Sequence, residues 1–273
     1  MRRSPSPDVS VIICTCGRPA QLAEALASVL AQRDVDIELL VVDDSADRSA
    51  APVVNRLADG RVSYLANPSP SGGRPGIVRN IAWPRVRGAV VHFLDDDDVV
   101  AAGYYRAALD ALAAAPDTGV VFGAIEPFGD DPAAVSDERR YFADAARRAR
   151  ACARLGSKLP YAASMFFDAT LLVCSAAVIR RECVALLNGF DPDLPVNEDV
   201  DFFGRAMRRF GARFIPATCV YRRVWPSLIR QPDVQRLLDR SYRRMHANYR
   251  AQWGTAEFLA MKGFARTVLK VIA

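Results

Sequence analysis

The stretch VVHFLDDDDVV, residues 90–100, runs from an apolar segment straight into four aspartates, Asp95 to Asp98. The apolar part reads as a buried strand. Carboxylates this close repel one another and raise each other's pKa unless positive charge lies among them. Asp98 can serve as the N-cap of the helix expected from residue 102. Capping cannot account for the other three, because a helix end needs one acceptor side chain. A hard divalent cation accounts for the run, since it takes oxygen ligands and removes the repulsion.

Outward from this strand, the first hundred residues alternate short apolar runs with helical patterns. Strands are expected at 9–15, 37–44, 61–67 and 89–95, and helices at 19–32, 49–59 and around IVRNIAW. Near-continuous apolar strands alternating with helices predict an α/β fold, a mostly parallel sheet covered on both faces. Further on, a helix is expected at 102–115, a strand at 119–126, an insertion with a basic helix at 127–160, and a strand at 170–175. A helix at 196–211 and one or two closing strands at 212–224 follow, and from Leu228 the chain reads helical and basic. The simplest organisation is one α/β domain, residues 1–227, divided into a nucleotide-binding half (1–100) and an acceptor-binding half (101–227). Residues 228–273 form a C-terminal helical extension.

Ligands of open α/β sheets bind beyond the carboxyl ends of the strands. Asp43 and Asp44 end the second strand, Asp95 to Asp98 end the fourth, and Glu198 and Asp199 begin a late helix. Taken singly, the first pair can be turn-formers and the last can be favourable charges at a helix N-terminus. A Mg²⁺ or Mn²⁺ site with one or two carboxylates is ordinarily completed by substrate phosphates. The loop SGGRPGIVRN (71–80) offers glycines for close backbone approach and Arg74 and Arg79 as phosphate partners. It is neither a Walker A loop nor a GxGxxG turn.

Bulk properties narrow the field less. The 273 residues are 51% hydrophobic and 25% charged, with a formal net charge of +5, which is compatible with an anionic small molecule, a membrane surface or nucleic acid and decides nothing alone. The six cysteines follow no CxxC spacing and read as plain core or site-lining thiols of a reducing compartment. The apolar run near the N-terminus is too short for a signal peptide, and no segment approaches the roughly 20 apolar residues of a membrane span. A cytoplasmic protein, peripheral to a membrane at most, is expected.

Taken together, these segments resemble the family 2 glycosyltransferases. VSVIICTCGRPAQLAEALASVLAQ is similar to the family's opening V-S-V-I-I-P-T-Y-N-R strand and helix, and ELLVVDDSADRS to its V-V-D-D-G-S-x-D segment. RNIAWPRVRGAVVHFLDDDD resembles its R-N-x-G…G-x-x-I-x-F-L-D-x-D-D stretch with Gly88 in register, and LLNGFDPDLPVNEDVDFFGRAMRRFG its G-G-F-D-E…x-E-D-x-D-L block. The likeness runs from about Val9 to Trp225. It implies the GT-A fold, a Rossmann-like, mostly parallel sheet, and an inverting, metal-dependent sugar transfer from a nucleoside-diphosphate sugar to a hydroxyl acceptor. No nucleic-acid partner is implied.

Carried onto matching positions, the resemblance places Thr15 and Arg18 at the nucleotide pocket and Asp43, with Asp44, at the base. Arg79 and Asn80 face the nucleotide sugar. Asp95 contacts the ribose side or the metal (Mn²⁺ or Mg²⁺), and Asp97 is the metal ligand of the D-x-D signature with Asp98 beside it. Asp96 falls in the same nucleotide-sugar stretch without a role of its own. Asp199 matches the catalytic base and Glu198 its acceptor-site neighbour. Cys16 and Gly17 depart from the usual aromatic and amide, Ala82 and Trp83 from a small–apolar pair, and Trp225 stands where a histidine is common. The absence of Q-x-x-R-W and of a transmembrane helix favours single addition over processive synthesis. His92, inside a strand, reads as a core residue.

Two rival readings remain at this point. A sugar-1-phosphate nucleotidyltransferase would carry a Gly-rich, lysine-containing signature after the first strand, which CTCGRPAQ lacks. An inactive nucleotide-sugar-binding module would not need both Asp97 and Asp199. In the tail, Lys262, Arg266 and Lys270 form a basic stripe opposite Phe258, Met261, Phe264, Ala265, Val268, Leu269 and Ile272. That apolar side requires a cover: an anionic membrane, a second subunit in a homodimer, or the protein's own domain. The arginines of 139–154 read as a solvated face or as a guide for an anionic acceptor.

Overall fold

The structure, a computed structural model, describes residues 6–225 and 232–272. The first five residues, the expected boundary at 227/228 and the side chain of Ile272 lie outside the described residues. The N-terminal half alternates as the apolar pattern requires: β1 (Val9–Thr15), α1 (Pro19–Leu30), β2 (Ile37–Asp43), α2 (Ala51–Leu57), β3 (Val62–Ala66), α3 (Pro75–Ala82) and β4 (Val90–Asp95). Three of the helices open with proline in their first two positions, where its fixed φ suits the helix and its missing N–H costs nothing. There follow β5 (Val99–Val100), α4 (Tyr104–Ala113), β6 (Val120–Phe128), α5 (Pro132–Leu155), α6 (Leu159–Phe167), β7 (Ala177–Arg180), α7 (Arg181–Leu187), α8 (Glu198–Phe210) and β8 (Ala212–Arg223). Among the described residues there follow α9 (Pro232–Trp253) and α10 (Thr255–Phe264), the latter running on through a π-helical turn, Ala265–Leu269, into the short α11 (Lys270–Ile272).

The sheet has eight strands in the order β3-β2-β1-β4-β7-β6-β8-β5. Pairing is parallel from β3 to β4 and between β6 and β8, while β7 runs antiparallel to both neighbours and β5 antiparallel to β8. The expected α/β, mostly parallel architecture with a helical C-terminal region is therefore present. Gly88 leads into β4 and donates its N–H to Ser10 Oγ at 2.7 Å. A Cβ on Gly88 would lie 2.5 Å from that oxygen and 2.6 Å from the Ser10 nitrogen, so only glycine fits.

Three expectations need correcting. The apolar run 170–175 is not a strand: Leu171, Leu172 and Cys174 are buried, yet pairing begins only at Ala177. Burial, which a sequence reports, does not by itself demand a ladder partner. Asp98 does not cap a helix. The chain first makes β5, and α4 starts behind Gly103, whose φ of 75° ends the approach. The segments 159–167 and 181–187, given no helical reading of their own, are α6 and α7; α6 is too uniformly apolar to show a helical stripe.

The tail is covered by its own domain. Phe258, Met261, Ala265 and Leu269 are buried in the hydrophobic core, and Phe258 packs with Phe167, His246 and Tyr249 in one aromatic cluster. Arg208 of α8 grips Glu257 through two bonds of 2.7 and 2.8 Å, and Tyr249 donates to the same carboxylate at 2.8 Å. His92 is a core residue as expected. Its Nε2 faces the Ser175 carbonyl, which can only accept, so Nδ1 takes the Tyr105 hydroxyl proton, each at 2.8 Å. Burial lowers its pKa to about 4, and the ring is neutral.

Candidate active site

Strand register builds the rim of the site. Thr15 pairs with Asp43 across β1 and β2, and Cys14 pairs with Asp95 across β1 and β4. The parallel ends of these strands thus deliver Thr15, Asp43 and Asp95 in one row. Arg79 reaches this row from α3. Its Nη2 bonds Asp95 Oδ1 at 2.8 Å and its Nη1 bonds Glu198 Oε1 at 2.6 Å. Arg79 is buried, with Phe190 5.3 Å beneath its guanidinium. One cation therefore holds a carboxylate from each half of the chain. Gly76 permits that approach, because a Cβ there would lie 3.0 Å from Glu198 Cγ.

The other aspartates divide by direction. Asp96 is fully buried and is met by Arg18 Nη2 at 2.9 Å; burial raises its pKa to about 6 against that pull. Asp97 Oδ2 receives both Arg18 Nη1 and the Trp225 indole Nε1, each at 2.6 Å. Asp98 is turned into the protein, where Oδ1 accepts the Arg223 N–H at 3.0 Å and pins the turn to β8; desolvation drives its pKa well up. Asp95 and Asp97 are thus the aspartates of the run that keep some exposure. Among the described residues no three His, Cys, Asp or Glu side chains form a metal-holding group. Two outward carboxylates fit a hard divalent cation whose shell is finished by substrate phosphates, rather than a self-sufficient cage. Trp225, a pure donor, cannot be a ligand and instead orients Asp97.

Asp199 stands apart from this salt-bridge system. It lies in the first turn of α8, which starts behind Asn197 at φ 59°, and among the described residues its Oδ1 accepts only its neighbour's N–H, from Val200 at 2.8 Å. It lines a cavity of about 460 Å³ with Tyr141, Phe142, Leu172, Val173 and Arg222. Desolvation, then the adjacent Glu198, raises its pKa to about 7. A carboxylate so placed can take a proton from a hydroxyl near neutral pH.

The remaining predicted residues serve the scaffold around the site. Asp43 accepts from Ser45, from the Ala50 N–H at 3.0 Å and from the Tyr64 hydroxyl at 3.0 Å. Asp44 orders the glycine-containing loop by accepting from Asn67 at 2.6 Å and from the Ser71 N–H at 2.9 Å. Asn80 spends both ends of its amide on the Phe190 backbone, at 2.8 and 2.9 Å. Gly189 must be glycine for this clamp, having φ 70° with Asn80 Oδ1 where a Cβ would go. All six cysteines are free thiols, and burial raises Cys14 to about 12.

Sequence reading missed the wall opposite Asp199. Tyr141 and Phe142 sit on α5, inside a helix read only for its arginines. Those arginines are largely paired: Arg139 with Glu126 at 2.8 Å, Arg140 with Asp137, Arg147 with Asp144, and Arg148 with Asp168. The signal was the aromatic pair itself, out of place in so charged a helix.

Comparison with known proteins identifies the class. Residues 10–184 match the family described as glycosyl transferase family 2, and the chain belongs to that family. Over 99 residues it is 34% identical to the GalNAc(5)-diNAcBac-PP-undecaprenol β-1,3-glucosyltransferase of Campylobacter jejuni, covering 36% of this chain and 32% of that one. Over 94 residues it is 33% identical to the succinoglycan biosynthesis protein ExoO of Rhizobium meliloti, covering 34% and 26%. The match thus spans between about a quarter and a third of these relatives' length. Among solved structures, the mannosyltransferase PcManGT of Pyrobaculum calidifontis, in complex with GDP-Man and Mn²⁺, superposes with TM-score 0.64 over 98% of this chain and 72% of that one, at 17% identity. S. aureus TarS 1–349 in complex with UDP gives TM-score 0.59 over 88% and 66%, at 20% identity. These likenesses establish the GT-A fold.

Proposed function

We propose that the protein moves a single sugar from a nucleoside-diphosphate sugar to a hydroxyl acceptor, with inversion at the anomeric carbon. The observation that carries this reading is Asp199, a carboxylate on a cavity wall with its pKa raised to about 7. Asp199 takes the proton of the acceptor hydroxyl, whose oxygen attacks the anomeric carbon while the nucleoside diphosphate departs from the opposite side. Arg79 holds Asp95 and Glu198 fixed across the cleft, and Arg18 adds positive charge on the diphosphate side. Asp97 and Asp95 would hold Mn²⁺ or Mg²⁺, which supplies charge stabilisation for the leaving diphosphate. The ligands bound in the structural neighbours, GDP-Man and UDP, and the diphospho-undecaprenol glycan in the name of the Campylobacter relative support a nucleotide-sugar donor and a glycan or glycolipid acceptor. Free thiols fit a cytoplasmic setting, and no described helix is long and apolar enough to cross a membrane.

The test offers purified protein, with Mn²⁺, a panel of nucleoside-diphosphate sugars and measures release of nucleoside diphosphate. Release is expected from one donor, and Asp97→Ala should lower it at least ~100-fold, as loss of a metal ligand does. Asp199→Asn should bind the same donor undiminished while losing transfer. A wild-type protein that binds no donor would sink the proposal, and one that binds a donor without ever turning it over would favour the inactive module.

A further inference from the structure

A second cavity, of about 440 Å³, opens beside the glycine-containing loop, between Arg74, the Asp193–Pro195 segment and α9. Three guanidiniums line it: Arg74, Arg240 and Arg244. Asp193 is its one acid, and it is already taken by Arg244 at 2.6 Å. Arg244 also bonds Asp191 at 2.7 and 3.0 Å, so its charge is largely met. Arg240 is exposed and has no ion pair among the described residues. Arg74 uses one nitrogen on the Pro192 carbonyl and leaves Nε buried without a partner among the described residues. Ser241, fully buried on the same wall, has a hydroxyl with no partner among the described residues either. Buried donors are normally satisfied. Two left open in one cavity, beside an unpaired cation, describe a site short of an acceptor-rich anion.

We propose that this cavity binds a phosphoryl group of the acceptor substrate. Phosphate oxygens accept from Arg74 Nε and the Ser241 hydroxyl while Arg240 supplies the balancing charge, the combination that charge-assisted recognition of phosphate uses. The place favours the acceptor over the donor. Arg74 lies two residues before Gly76, which packs on Glu198 at the start of α8, whereas Arg18 and Asp97 approach from β1 and β4. The acceptor is thus a phosphate ester or diphosphate whose anion docks here while its hydroxyl reaches Asp199. This inference rests on the transferase reading above.

The experiment titrates the full chain by calorimetry with inorganic pyrophosphate, a hexose 1-phosphate and the matching methyl hexoside. Pyrophosphate and the hexose phosphate should bind and the methyl hexoside should not. Binding should survive in Asp97→Ala and weaken at least ~10-fold in Arg240→Gln, an exposed position where folding is not at stake. Ser241→Ala should weaken it less, with no loss of thermal stability, because its hydroxyl bonds nothing in the empty protein. Equal binding by Arg240→Gln, or loss in Asp97→Ala, would overturn the assignment, since the anion would then sit elsewhere or in the donor cleft. Binding of pyrophosphate alone would reject an acceptor ester in favour of a free anion. Donor hydrolysis run alongside separates the two readings: if it proceeds while phosphate binding fails, only this inference falls.

Discussion

Single carboxylates in this protein differ by what they face, and that sets their chemistry. Asp43 is surrounded by donors of its own chain, whereas Asp199 meets one neighbouring N–H and a cavity. The second environment disfavours charge and lifts the pKa from 3.8 to about 7. Because the base must be deprotonated to accept a proton, transfer should rise with pH through about 7 and then level off. A pH profile of kcat/KM flat from pH 5 to 8 would assign the base elsewhere. Linkage runs the other way. The folded state keeps a proton that the unfolded chain releases between 3.8 and about 7, so this group's contribution to stability falls as pH rises across that window. Asp199 therefore gains reactivity over the same pH range in which it loses stabilising value.

Elements carry these side chains only if their ends are secured. Asp131 caps α5 by accepting from Ala133 N–H at 3.0 Å and Ala134 N–H at 3.1 Å, and α5 presents Tyr141 and Phe142 to the cavity. Asp131→Ala should cost about 1 kcal/mol in chemical denaturation, with KM for the acceptor rising and donor binding unchanged. At this scale the sequence was legible where one force dominates. The strands β1, β2 and β4 are apolar runs closed by acids, and the carboxylates of the rim followed from them. It was not legible where two readings share one pattern. Residues 170–175 are as apolar as a strand, but nothing in the run says whether a partner strand lies alongside. Asp98 looked like a cap because Asp and a following helix co-occur; the intervening Val99–Val100 pairing with β8 depends on residues more than a hundred positions away. Asn80 and Trp225 belong to the same class, since their partners, Phe190 and Asp97, are long-range.

The whole molecule depends on its last segment. Phe258, Met261 and Leu269 are buried, and at about 1.5–3 kcal/mol for each large side chain their removal is costly. A chain ending at Trp253 should melt well below the full protein and bind a hydrophobic dye at the uncovered α6. An unchanged melting temperature would mean the tail is an appendage and leave its apolar side for another partner. The same interdependence appears at Arg79, where one guanidinium is shared by Asp95 of the first half and Glu198 of the second. Neutralising Glu198 alone would leave the buried cation short of a counter-charge, and losing Arg79 alone would strand the buried Glu198 carboxylate, each the costly kind of change. The two halves are consequently not free to drift apart in descent: a lineage that replaces position 79 must replace 198 in the same step or pass through a less stable ancestor.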